Sequence, residues 1–318
     1  MILYALRRIL WLIPVMICVS LIIYSLMDLA PGSIVDSMVS DDMTQEEIAE
    51  LRASFDLDKP MIYRYGKYML GLVQGDLGSS QISGLPVWNT YMSRFPKTLE
   101  LSLLSVAVAI IIAIPLGIFA AKHAGTILDN LTTAFTLIGL SMPGFWLGLL
   151  LIIWFSYDIK WFPAGYDGTW KCYVVPVFAT GLSMSATITR QTRSAVLEVS
   201  RQDFLRTARA KGVLERQVTI RHVLRNAWIP IITQIGMMLG MTVAGSAVIE
   251  MVFSWPGVGR MMVDAINSRD TVAATGTVIL TSTLFILLLL LVDIVYAFVD
   301  PRIRAQYSAN RRKRRNTV

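Results

Sequence analysis

The chain has 318 residues, 54% hydrophobic and 16% charged, with a mean hydropathy of +0.57. Soluble domains carry ~25% charged residues, so this composition excludes an ordinary soluble domain and points to a polytopic protein solvated by lipid. The net charge of +7 sits beside apolar runs, which favours membrane orientation and contact with anionic lipid or an acidic protein surface, with no nucleic acid as partner.

Six runs approach the ~20 apolar residues that cross a ~30 Å hydrocarbon core. They lie at about 9–30, 99–121, 133–157, 173–189, 228–252 and 276–299. Arg7 and Arg8 precede the first, which is too long for a signal peptide and lacks an A-x-A site, so it reads as a retained span. Cys18 and Cys172 form no CxxC or Cys/His cluster, which supports neither a disulfide framework nor a zinc site.

Between the first two spans, Thr44-Gln-Glu-Glu47 reads as a capping box, followed by Ile48, Leu51 and Phe55 at helical spacing. A second helix is expected over Tyr63–Val73, ending at the two-glycine turn Gly75-Asp-Leu-Gly78. The expected fold is all-α: six transmembrane helices, an ordered helical cap over 31–98 and a five-span core over 99–318. The core carries a helix-bearing loop over 190–226 and a basic tail over 302–318.

The fourth run contains Pro176, Gly181 and several Ser and Thr residues, and is expected among other helices rather than against lipid. In the fifth, Gly236, Gly240, Ala244 and Gly245 form a small-residue face that includes GxxxG. That face is a candidate subunit seam or substrate path, with packing inside one subunit as the equal alternative. Asp28, Glu250 and Asp293 lie in or near spans, where carboxylates are functional suspects.

Lysine and arginine set the orientation. With the N-terminus inside, the cytoplasmic side holds 19 of them against 4 outside when the long 31–97 segment is left aside. Both termini are therefore expected in the cytoplasm. The tail Arg311-Arg-Lys-Arg-Arg315 reads as a solvated run touching lipid.

The most distinctive stretch is Phe204-Leu-Arg-Thr-Ala-Arg-Ala-Lys-Gly212 inside the 190–226 connection. Asp203 suits a helix N-terminus and is expected to cap or favour a helix over 204–211. Thr207, Ala208 and Ala210 are small enough to enter a narrow cleft. Arg206 and Arg209 stand one turn apart, and Gly212 suits the left-handed residue that stops a helix. A second run, Glu215–Asn226, returns the chain to the membrane.

Thr207-Ala-Arg-Ala-Lys-Gly212 with Arg221-His-Val-Leu-Arg-Asn-Ala-Trp-Ile-Pro230 resembles the "EAA" coupling loop of ABC-importer permeases, in the form of the dipeptide/oligopeptide/nickel branch. The resemblance extends to Gly75-Asp-Leu-Gly-Ser79, Arg94-Phe-Pro-Lys-Thr-Leu-Glu-Leu-Ser102, Pro143-Gly-Phe-Trp146 and Trp161-Phe-Pro-Ala-Gly165. It continues through Ser254-Trp-Pro-Gly-Val-Gly-Arg260, Arg269-Asp270 and Asp300-Pro-Arg-Ile-Arg304. Two departures stand out. Thr271-Val-Ala-Ala replaces an aromatic-Pro run, and Leu290 or Leu291 replaces an Asn before the last span's Val-Asp.

The resemblance implies a permease subunit in the bacterial or archaeal cytoplasmic (inner) membrane. Its partners would be a second homologous permease, two cytoplasmic ATPases and an external solute-binding protein. ATP and Mg would be bound by the ATPases and no cofactor by this chain. The coupling element would comprise Asp203, Arg206, Thr207, Ala208, Arg209, Ala210, Lys211, Gly212 and Glu215, with Ala208 and Gly212 setting the fit and Arg206, Arg209 and Lys211 pairing with the ATPase. The substrate would be a di- or oligopeptide, with a nickel chelate or glutathione as alternatives. The chain has no GxxxxGK[ST], GxSxG or HExxH, so no catalytic residue is assigned. The rival class, an ion-coupled secondary transporter, would use the three carboxylates, but no inverted repeat is evident.

Overall fold

A computed structural model describes residues 2–40 and 43–299, with side chains described for 10–40, 43–244 and 246–292. The side chains of Arg7, Arg8 and Asp293, the surroundings of Gly245, the 300–304 motif and the basic tail lie outside those residues. Helices α1 (Ile2–Leu29), α2 (Gln45–Ser54), α3 (Met61–Val73) and α4 (Val87–Lys122) lead into α5 (Ile127–Ser141), α6 (Gly144–Leu151) and α7 (Val174–Ser200). Then come α8 (Asp203–Ala210), α9 (Glu215–Gln217), α10 (Arg225–Gly245), α11 (Ala247–Val252), α12 (Val258–Asn267) and α13 (Thr271–Val299).

The spine is α4. Its 36 residues span about 54 Å at 1.5 Å per residue, well beyond a ~30 Å hydrocarbon core. It starts twelve residues before the expected span and continues through Pro96 and Pro115. Val87 and Tyr91 at one end pack with Met261, Ala273 and Ala274, while Ala121 at the other packs with Val199, Leu205 and Val218.

Helix α7 lies along this spine because glycines let the two backbones approach. A Cβ on Gly117 would stand 2.6 Å from the Thr192 Cβ, and one on Gly181 would stand 2.9 Å from the Ser105 carbonyl oxygen. The span containing α7 is 67% buried, against 22–33% for the other four long spans. It is the interior helix its small and hydroxylic residues predict. It runs on to Ser200, eleven residues past the apolar run.

Two expected spans are broken. The third divides into α5 and α6, which meet at 93°. Pro143 forces the preceding Met142 into an extended conformation (φ −87°, ψ 121°), which ends α5. The fifth ends at Gly245, and the chain turns at Ser246 into the short α11. At its other end the fifth is longer than expected, since α9, a π-helical stretch (Val218–Leu224) and α10 form one continuous rod.

In the segment before α4, Thr44 and Glu47 form the expected capping box. Lys59 and Lys67 both pair with Asp56, at 2.7 and 2.6 Å, and hold its carboxyl down to about 2.

Candidate functional site: a projecting helix and the junction at the opposite end

Helix α8 stands where α4, α7 and the α10 rod converge. Leu205 is fully buried in a cluster with Ala121, Val199, Val218 and Ala227, and Ala208 is also buried. Phe204, Arg206, Thr207, Arg209, Ala210 and Lys211 are exposed. The helix is therefore anchored by one face and presents the other. Its C-terminus is a complete Schellman motif: the Val213 N–H bonds the Ala208 carbonyl at 3.3 Å and the Gly212 N–H bonds that of Arg209 at 2.9 Å. Gly212 has φ +76°, the left-handed conformation that a side chain disfavours.

The structure places three of the expected residues as follows. Asp203 opens the helix in its first turn, but the cap position is Gln202 and no side chain bonds a free N–H there. Ala208 is buried within this chain, where it helps to seat α8. Arg209 is already engaged: Nε and Nη2 donate to the two Glu215 oxygens at 3.1 and 2.8 Å, and Glu215 raises the guanidinium pKa. This pair clamps α8 to α9 across the glycine turn. Beside α8, a groove of 860 Å³ is lined by Phe204, Ile220, Arg221, His222, Arg225 and Trp228.

Behind α8, Asp129 holds α5 to α7. Arg193 donates to both of its oxygens at 2.6 and 2.7 Å, and the Gly125 N–H adds a third bond at 2.9 Å. The sequence shows these two residues only as scattered charges sixty-four positions apart, and nothing local announces the pairing.

At the far end of α4 the suspected carboxylates have structural partners. Fully buried Glu250 accepts from the Thr98 hydroxyl at 2.7 Å, the Ser246 hydroxyl at 2.8 Å and the Arg260 N–H at 2.8 Å. The Val258 N–H donates to Thr98 at 2.9 Å. Two first-turn N–H groups of α12 are thus satisfied by α11 and α4, because the cap residue Gly257 has no side chain to do it. Asp28 pairs with Arg64.

The scattered motifs meet at this junction. Buried Trp255 donates to the Lys97 carbonyl at 3.0 Å and receives Tyr166 and Tyr173 edge-on. The Tyr166 N–H bonds the Phe253 carbonyl at 2.9 Å. Asp270 accepts from Ser80 at 2.6 Å and from the Ala273 N–H at 2.9 Å, capping α13 and tying it to the 31–97 segment. Gly78 makes that tie possible, with φ +76° and Val272 Cγ1 2.7 Å from where a Cβ would stand.

The small-residue face of α10 turns to its own chain. A Cβ on Gly236 would lie 2.5 Å from Val292 Cγ1, and one on Gly240 2.9 Å from Phe285 Cε2, both on α13. These two glycines pack within the subunit. Ala244 is half-buried, and the same helix exposes Met237 and Met241.

Residues 113–305 match the family described as binding-protein-dependent transport system inner membrane component, and residues 1–102 match the corresponding N-terminal family. The chain belongs to this family and is a permease subunit of an ABC importer. The permease is 37% identical over 301 residues to the glutathione transport system permease protein GsiC of Salmonella paratyphi A, and equally to that of Escherichia coli K12. Each match covers 95% of this chain and 98% of the relative. Its fold is similar to a chain of the MetNI methionine ABC transporter in an inward-facing form. The TM-score is 0.58 at 18% identity, over 66% of the permease and 96% of that chain. The permease is a multi-pass inner-membrane transport subunit that works with ATPase and binding-protein partners.

Proposed function

We propose that this permease imports small peptides, with glutathione among its candidate cargoes. Two ATPases would drive it through the outward face of α8. The observation that carries the coupling reading is the two-faced seating of that helix: Leu205 and Ala208 fix it to the bundle, while Arg206, Thr207, Ala210 and Lys211 face outward. A helix seated in this way transmits a push to α4, α7 and the α10 rod without melting. Arg209 and Glu215 stiffen it, and Asp203 complements its dipole.

In this arrangement the α8 end and both termini face the cytoplasm, and the 31–97 segment faces the binding protein. The 19-to-4 asymmetry of basic residues supports it. ATP and Mg belong to the ATPases. A second, homologous permease completes the pathway, and the Met237–Met241 face of α10 is available to meet it. The names of the 37%-identical relatives support glutathione, and the peptide branch resemblance supports di- and oligopeptides. Nickel chelates remain the alternative cargo.

The test is reconstitution of the complex in vesicles with its binding protein. Labelled glutathione, a dipeptide and a nickel chelate are offered in parallel, and ATP hydrolysis is recorded. Thr207→Trp and Ala210→Trp, both on the outward face, should abolish uptake while the complex still assembles. Full uptake by both variants would sink the coupling assignment, and accumulation of the nickel chelate alone would overturn the peptide reading.

A further inference from the structure

Arg269 and Asp270 are adjacent, yet of the two only the Asp270 side chain is hydrogen-bonded among the described residues. Helix α12 ends in a Schellman motif like that of α8: the Asp270 N–H bonds the Ala265 carbonyl at 2.9 Å and the Arg269 N–H bonds that of Ile266 at 3.2 Å. The left-handed position, filled by glycine in α8, here holds Arg269 at φ +59°. A bulky residue is uncommon in that conformation and strains the backbone. Glycine would serve the turn better, so the side chain has to be what the position keeps.

That side chain is half-buried, and no acceptor among the described residues bonds its guanidinium. It lines a cavity of 240 Å³ with Arg52, Arg64, Asp28 and Asp58. Arg64 is taken by Asp28, which leaves the guanidinium groups of Arg52 and Arg269 on the cavity wall against one further carboxylate, that of Asp58. A cavity wall with surplus guanidinium donors fits an anion with planar oxygens, since arginine's fork matches a carboxylate.

We propose that this cavity is a carboxylate-binding site, gripped by Arg269 and Arg52. The carboxylate comes either from a free peptide or from an acidic side chain of the external binding protein. The second source rests on the import reading, which places this end outside. At 240 Å³ the cavity takes a carboxylate with a few methylenes and excludes a folded segment.

Arg269→Gly is the decisive variant, because glycine suits the left-handed position and leaves the turn intact. Its melting temperature should match or exceed that of the parent. Two quantities are read on the purified complex in nanodiscs at low salt: binding of glutarate as the probe, and the affinity of the loaded binding protein. A loss of at least tenfold in glutarate affinity, in both Arg269→Gly and Arg52→Gln, establishes the site with a free carboxylate. A tenfold loss of docking affinity that 0.5 M salt reproduces in the parent assigns the carboxylate to the binding protein. If Arg269→Gly melts normally and changes neither quantity, the proposal is wrong. Glutarate binding is independent of transport, so a failed import reading would leave that arm unaffected.

Discussion

The Glu250 carboxylate, on α11, accepts the Arg260 backbone N–H, on α12, at 2.8 Å. It therefore caps a helix to which it does not belong. The reach is open only because Gly257 lacks a Cβ, which would fall on the carboxylate itself. Gly257→Ala should cost about 1–3 kcal/mol, as overpacking does, and detach α12 from α4. Gly66→Ala is the matched control: that site has nothing within 4 Å in mid-helix, so the change should add up to ~1 kcal/mol. Thermal melts of the purified complex distinguish them, and equal effects would contradict the cap.

Asp129 and Arg193 form the tie between α5 and α7. The Asp129 side chain is almost fully buried and that of Arg193 is about a third exposed, so Asp129→Asn should cost about 1–3 kcal/mol. A double-mutant cycle with Arg193→Gln should return a coupling energy of at least ~1 kcal/mol. Simple additivity would show that each residue acts alone.

Arg209 and Glu215 pair within the chain, which predicts rescue by exchange. Arg209→Glu and Glu215→Arg should each lower uptake several-fold, while the double exchange recovers most of it. The pair is exposed, and its stability contribution is on the order of 0.2–1 kcal/mol, so melting temperatures should barely move. A double exchange worse than either single variant would place the partner of Arg209 on the ATPase.

Acid should loosen the 31–97 segment through Asp56. Its carboxyl is held down to about 2 against an ordinary 3.8 by Lys59 and Lys67. A depressed carboxylate contributes stability that is fully present above its unfolded pKa and is lost as the pH falls through the folded one. The difference in melting temperature between the parent and Asp56→Asn should therefore be constant above pH 5 and shrink between pH 4 and pH 2. A pH-independent difference would refute the linkage.

By itself the sequence determined whatever depends on local pattern. Apolar runs mark the spans, the capping box at Thr44 and Glu47 starts α2, and Gly212 takes the left-handed turn that ends α8. These features answer to hydration and backbone geometry within a few residues. Only the tertiary structure decided which face of α8 is free, because packing of Leu205 against Val199 and Val218 turns Ala208 inward and leaves Thr207 exposed. It also decided that Gly236 and Gly240 meet α13, since a small-residue stripe permits close approach without naming the partner. The apolar pattern runs unbroken across Pro143, so the third span was expected whole, and the 93° bend between α5 and α6 is seen only in the structure. Glu250 looked like a charge stranded in a membrane. It has a place only because Thr98, Ser246 and Arg260, up to 152 residues distant, bring their donors to it.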